Sequence, residues 1–73
     1  MPRYFFNVRN HVHANDFDGR ELPSLEIAIQ EAHKDIADIK RARFEHLGGW
    51  PRWSIEICDD KRLLLMVVPF SAN

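Results

Sequence analysis

From Leu25 onward the apolar residues recur at helical spacing, and this constrains the chain more than any other feature. At roughly 100° per residue, Leu25, Ala28, Ile29, Ala32, Ile36, Ile39 and Leu47 fall on one stripe. Glu31, Lys34, Asp35, Asp38 and Arg41 fall on the other side. Such a stripe has to be buried against another element. Ser24 stands where an N-cap belongs, because its hydroxyl can accept a bond from a free first-turn amide. Glu26 sits in the first turn, and Lys40, Arg41 and Arg43 crowd the last turns, each sign matching the helix dipole. Gly48-Gly49 is the expected stop.

The segments on either side change period. Tyr4, Phe6 and Val8 alternate with Arg3, Asn7 and Arg9, which predicts a half-buried strand over Arg3 to Arg9. Phe5 breaks the alternation with an aromatic on the polar side. Asn10-His11 predicts a turn, about Val12 to Phe17 a second strand, and Asp18-Gly19 its closing turn. Beyond the helix, Trp53, Ile55 and Ile57 alternate with Ser54, Glu56 and Cys58. Asp59-Asp60-Lys61-Arg62 then reads as a polar hairpin loop, and Leu63 to Phe70 as a fourth strand, apolar on both faces. Pro69 near its end is expected to mark fraying or an edge position. The expected fold is α+β: an antiparallel sheet of about four strands in β-β-α-β-β order, with one amphipathic helix packed on one face.

Seventy-three residues are expected to form a single small α/β domain over residues 1–73. A core of that size is marginal without a disulfide, a metal or a partner chain. Cys58 is the only cysteine, so no internal disulfide can form, which fits a reducing compartment. The opening lacks the apolar run of a signal peptide, and Leu63 to Phe70 is too short to span a bilayer. A cytoplasmic location and no membrane are therefore expected. Ten basic and eleven acidic residues nearly cancel, unlike the clearly basic balance of a dedicated nucleic-acid binder.

The opening Tyr4, Phe5, Phe6 and Val8, then Asp16, Asp18 and Gly19, then Glu21, Leu22, Pro23, Leu25, Glu26 and Ala28, and the closing Pro69, Phe70 and Ser71 form a pattern. It resembles a family of small alphaproteobacterial proteins of unknown function that open MPRYFFHV and carry an ELP-x-LE-x-A segment. The resemblance runs over nearly the whole chain. Its specificity lies in the opening and closing strings. Asn7 stands where that family usually has His, and the first hairpin is one residue shorter. The resemblance implies a fold and a bacterial origin, and it brings no activity.

No catalytic constellation stands out. His11 and His13 would share a strand face and, with Asp16 or Asp18, could offer metal ligands. Two adjacent ligands fall short of a metal signature, and exposed turn histidines are the simpler reading. Asp16-Phe17-Asp18-Gly19 has the look of part of a calcium loop. Aligning Gly19 with the loop glycine puts Ala14 and Leu25 at positions that need oxygen ligands, so the segment reads as a turn. Trimming of Met1 would leave Pro2 at the N-terminus, where small tautomerases carry a general base. In those enzymes the helix follows the first strand closely, whereas a second strand intervenes here. Cys58 lacks the setting of a nucleophile. No cofactor and no enzymatic activity are expected.

Two kinds of contact remain. One helix covers one face of a sheet, so an apolar remainder is expected opposite it or along an edge, formed by Phe5, Cys58, Leu63, Leu65 and Val67. That favours a non-enzymatic interaction module, homodimeric, binding another protein through its sheet edge or face. The alternative is a nucleic-acid-associated or antitoxin-like regulator, with Lys40, Arg41, Arg43, Lys61 and Arg62 as phosphate contacts. Enol–keto turnover should be at background in the parent and unchanged in Pro2→Ala. Elemental analysis of untagged protein should show no stoichiometric transition metal. Turnover lost with Pro2, or about one zinc per chain lost in His11→Ala, would reverse this reading.

Overall fold

The computed structural model describes residues 2–9, 14–42 and 53–72. The expected Asn10-His11 turn, the first part of the expected second strand, His13, Arg43, Leu47 and the Gly48-Gly49 stop lie outside these residues. The described residues form β1 (Arg3–Arg9), β2 (Arg20–Glu21), α1 (Leu25–Ala42), β3 (Ser54–Cys58), β4 (Leu64–Pro69) and a short 3₁₀ turn at Phe70–Ala72. The four strands make one antiparallel sheet in the order β2-β1-β3-β4. The class is α+β, with the helix packed on one face of the sheet, as the two periodicities predict.

Ser24 caps α1: the Ile27 amide donates to its hydroxyl at 3.3 Å, and its carbonyl accepts the Ala28 amide at 3.1 Å. Ala28, Ala32 and Ile36 are fully buried against the sheet. The two alanines leave little side chain between helix and sheet, and they share one buried cluster with Tyr4 and Phe6 of β1 and Ile55 and Ile57 of β3. Leu25, Ile29 and Ile39 pack around this centre, half-buried. At the far end Trp53 and Phe70 meet with ring centroids 5.3 Å apart, and Val68 fills the space beside them.

The second strand needs correction. The segment expected to run over about Val12 to Phe17 contributes a single bridge, Ala14 to Val8, with bonds of 2.9 and 3.0 Å in the two directions. The paired strand proper is Arg20–Glu21, against Tyr4 and Arg3. Between the two, the chain leaves the ladder, and the Asp16 carboxylate takes the place of a strand by accepting the Phe6 amide at 3.1 Å. Its other oxygen accepts the amides of Asp18 and Gly19, both at 3.1 Å. Gly19 then turns the chain with φ 73°, where a Cβ would lie 2.9 Å from the Arg3 side chain and 3.0 Å from Phe5.

The faces of β4 also differ from strict alternation. Val68 and Met66 pair with Ile55 and Ile57, whereas Leu64 pairs with Cys58, leaving Leu65 as an extra residue opposite a register shift. Directly paired residues share a face. Leu64 therefore joins Cys58 on the face away from the helix instead of following Met66 and Val68. A bulge of this kind reverses which face the residues beyond it occupy, and in a run of six apolar residues from Leu63 to Val68 nothing in the composition marks where it falls.

Replacing Ile36 with alanine should cost about 2–5 kcal/mol, since the site is closed on all sides. Ile36→Asp should leave no folded population, because a small core cannot accommodate an unpaired charge. Far-ultraviolet circular dichroism through a thermal melt reads both. An aspartate variant melting within a few degrees of the parent would contradict this packing.

Candidate interaction surface

The face opposite the helix is not left bare. Phe5 and Cys58 point to it, as expected, yet they are only 8% and 6% exposed. The expectation that both belong to an open apolar patch is therefore corrected. Arg62, from the turn between β3 and β4, reaches across this face and donates to the Asp16 carbonyl at 3.2 Å. Its guanidinium lies 4.6 Å from the centre of the Phe5 ring and 5.7 Å from that of Phe17. It thus packs as a flat lid over one aromatic and beside another. Asn7, itself buried, donates to the Cys58 sulfur at 3.5 Å and accepts the Asp16 amide at 2.9 Å. Farther along the same face Arg9 and Glu56 form an ion pair at 3.0 Å. What remains is a shallow groove of about 350 Å³ between Asn7, Phe17, Cys58 and Leu64.

The turn that supplies Arg62 is built on Asp59. Its carboxylate accepts the amides of Lys61 and Leu63 at 2.8 and 2.9 Å, and its carbonyl accepts that of Arg62 at 3.0 Å. Arg62 adopts φ 68°, a left-handed conformation uncommon for a residue with a Cβ, and so the side chain leaves the turn toward the sheet.

The two edges of the sheet are unlike. At the β1 edge nearly every outward group has a partner. Leu22 donates to the Pro2 carbonyl at 3.0 Å, Arg20 and Glu21 pair with β1, Asp16 takes the Phe6 amide, and Ala14 pairs with Val8. Arg20 adds a lid there too: it lies 4.5 Å from the centre of the Phe6 ring and bridges to Asp35 at 2.6 Å and Glu31 at 3.4 Å. A cavity of about 470 Å³ opens beside it, floored by Phe6, Val8, Ile39 and Ile55 and rimmed by Asp16, Asp18, Asp35 and Asp38. At the β4 edge, by contrast, Leu63, Leu64, Leu65, Met66 and Val67 stand in a row, 39% to 61% exposed. An edge of this length and character pairs readily with another chain. Of the residues expected to self-associate, Leu63, Leu65 and Val67 are in this row, now joined by Leu64 and Met66.

The expected phosphate contacts are dispersed. Lys40 donates to the Phe70 carbonyl at 2.7 Å, near the end of β4, and Arg41 pairs with Asp38 on the helix. Lys61 and Arg62 lie at the start of β4, roughly 20 Å away along the strand. Arg43, His11 and His13 lie outside the described residues. Among the described residues no group of three or more His, Cys, Asp or Glu is arranged to hold a metal. Pro2 is exposed at the start of β1. None of the described helices is long and apolar enough to cross a membrane.

Sequence reasoning did not foresee the parts played by Asp16 and Arg62. The Asp-x-Asp-Gly spacing does signal a side chain that bonds amides two and three residues on. Nothing local signals the bond to Phe6, or an arginine reaching back 46 residues.

Residues 3–71 match the family described as Domain of unknown function (DUF6894), and the chain belongs to that family. No curated protein and no solved structure matches it.

Burial alone would raise the pKa of Asp16, but the amides of Gly19, Phe6 and Asp18, aided by Arg20, outweigh it and hold the carboxyl below its ordinary value. A lowered native pKa contributes stability above the unfolded value, near ~3.9, that is lost as pH falls through the native one. Asp16→Asn should be about 1–3 kcal/mol less stable at pH 7, since its amide nitrogen cannot accept the bonds it inherits. Urea unfolding at neutral pH and at about pH 3 should show the gap closing in acid as the parent protonates. An unchanged gap would contradict the role given to this carboxylate.

Proposed function

We propose that this chain is a non-enzymatic interaction module, working as a homodimer and binding protein through the open edge of β4. The observation that supports the reading is the contrast between the two edges. One is closed by a bridge, a two-residue strand, a carboxylate and an arginine, while the other presents five consecutive apolar residues. Added-strand recognition draws affinity from main-chain bonds and specificity from alternate side chains, and an edge of this kind supplies both. The chain also lacks an internal disulfide, and a partner chain is one way to add to a small core. A single cysteine, buried and free, suits the cytoplasm.

Light scattering after gel filtration at roughly 100 μM should give twice the chain mass, because a pairing that dissociates in the roughly micromolar range is still largely formed at that concentration. Val67→Lys should return the chain to monomer while the fold persists. Val67 is exposed and paired with Glu56, so a lysine there gains an opposite charge across the ladder. A parent that is monomeric, soluble and stable at that concentration would overturn the homodimer.

A further inference from the structure

We infer that the β4 edge takes a second copy of this chain, paired antiparallel about a two-fold axis near Met66. This rests on the interaction-module reading and adds to it the occupant and the register.

The main chain of β4 sets the limits. Phe70 donates its amide to the Trp53 carbonyl at 2.9 Å. Main-chain groups alternate in direction along a strand, so Val68 and Met66 also turn theirs toward β3, and Val67 and Pro69 face outward. At the other end Leu63 faces inward, its amide on the Asp59 carboxylate and its carbonyl accepting the Asp59 amide. Two inward residues three apart require the bulge at Leu64 and Leu65, which frees main-chain groups there as well. The open edge thus offers Val67 and the bulge, and it stops at Pro69, which has no N–H to give. A strand laid against it is confined to the stretch from Leu63 to Val67.

That stretch complements itself. With the axis near Met66, Leu65 of each copy lies opposite Val67 of the other and Met66 opposite Met66, so the ladder runs over Leu65 to Val67, and Leu63 and Leu64 lie beside the Pro69 end of the other copy. The row carries no charge, so no register in this stretch sets like charges together. The turn that overhangs the second copy holds two acids and two bases, Asp59, Asp60, Lys61 and Arg62, and brings no net repulsion. Size sets the strength of the pairing. Five side chains about half exposed, shared between the two faces by strand alternation, present on the order of 400 Å² of apolar surface, within the range of the largest patches monomers carry. A standard interface takes roughly 800 Å² from each partner. The row supplies about half of that, and the pair should dissociate in the roughly micromolar range. The result is a continuous eight-stranded sheet with both helices on one side, since an axis relating antiparallel neighbours runs through the sheet.

Two variants test the pairing. Val67→Pro removes an outward N–H that bonds nothing among the described residues, at a position like that already held by Pro69. It should weaken dimerisation at least tenfold by sedimentation while the melting temperature stays within a few degrees of the parent. In a Cys58→Ala background, Met66→Cys should cross-link to itself under mild oxidation at roughly 100 μM, because facing Cα atoms near ~4.5 Å suit a disulfide. Gln30→Cys, exposed on the helix, should not. A chain that still dimerises with Val67→Pro, and whose Met66→Cys form stays reduced, would overturn the two-fold pairing and leave the interaction module standing. A parent that never dimerises would overturn both.

Discussion

A sheet has two faces and two edges, and among the described residues a single 18-residue helix covers one face. Every other feature of this chain follows from how the remaining three surfaces are closed. The helix side is settled by burial: Ala28, Ala32 and Ile36 are fully buried in one cluster with Ile55 and Ile57. The opposite face has no helix to cover it. Two arms of the chain do so instead, the excursion around Asp16 and the turn that carries Arg62. They meet where the Arg62 guanidinium bonds the Asp16 carbonyl above Phe5. This works because a guanidinium is flat and weakly hydrated, and so it can cover an aromatic ring while keeping its bonds.

The same two arms decide which edge is open. Asp16 gives up a place in a strand and, in exchange, its carboxylate satisfies the Phe6 amide and organises the turn to Gly19. The edge at β1 is thereby interrupted and closed to a further strand. Among the described residues no comparable device protects β4 beyond Pro69. Its exposed row is long and uncharged, the character that surface edges otherwise avoid. The asymmetry is what ties the fold to the proposed function.

Much of this was legible in the residues. The helical stripe, the Ser24 cap, β3 and the edge position of β4 follow from period, capping chemistry and Pro69. The rest rests on interactions that composition does not encode. The return strand was expected too early, because Asp16 replaces ladder bonds with side-chain bonds across ten residues. The face assignment of Leu64 was missed because one leucine among several is the bulge. Phe5 and Cys58 looked exposed because their covers, Arg62 and Asn7, act from 57 and 51 residues away in the case of Arg62 over Phe5 and Asn7 on Cys58 respectively. Of the two places expected for an apolar remainder, the opposite face and an edge, the exposed row lies along the edge of β4.

The outward amide of Val67 gives the most direct reading of that edge. Hydrogen exchange of this one amide, followed by nuclear magnetic resonance at protein concentrations well above and well below the micromolar range, separates an open edge from a paired one. The account predicts strong protection at high concentration and near-free exchange on dilution, while the inward amides of Met66 and Val68 stay protected throughout. A Val67 amide that exchanges freely at both concentrations would contradict it.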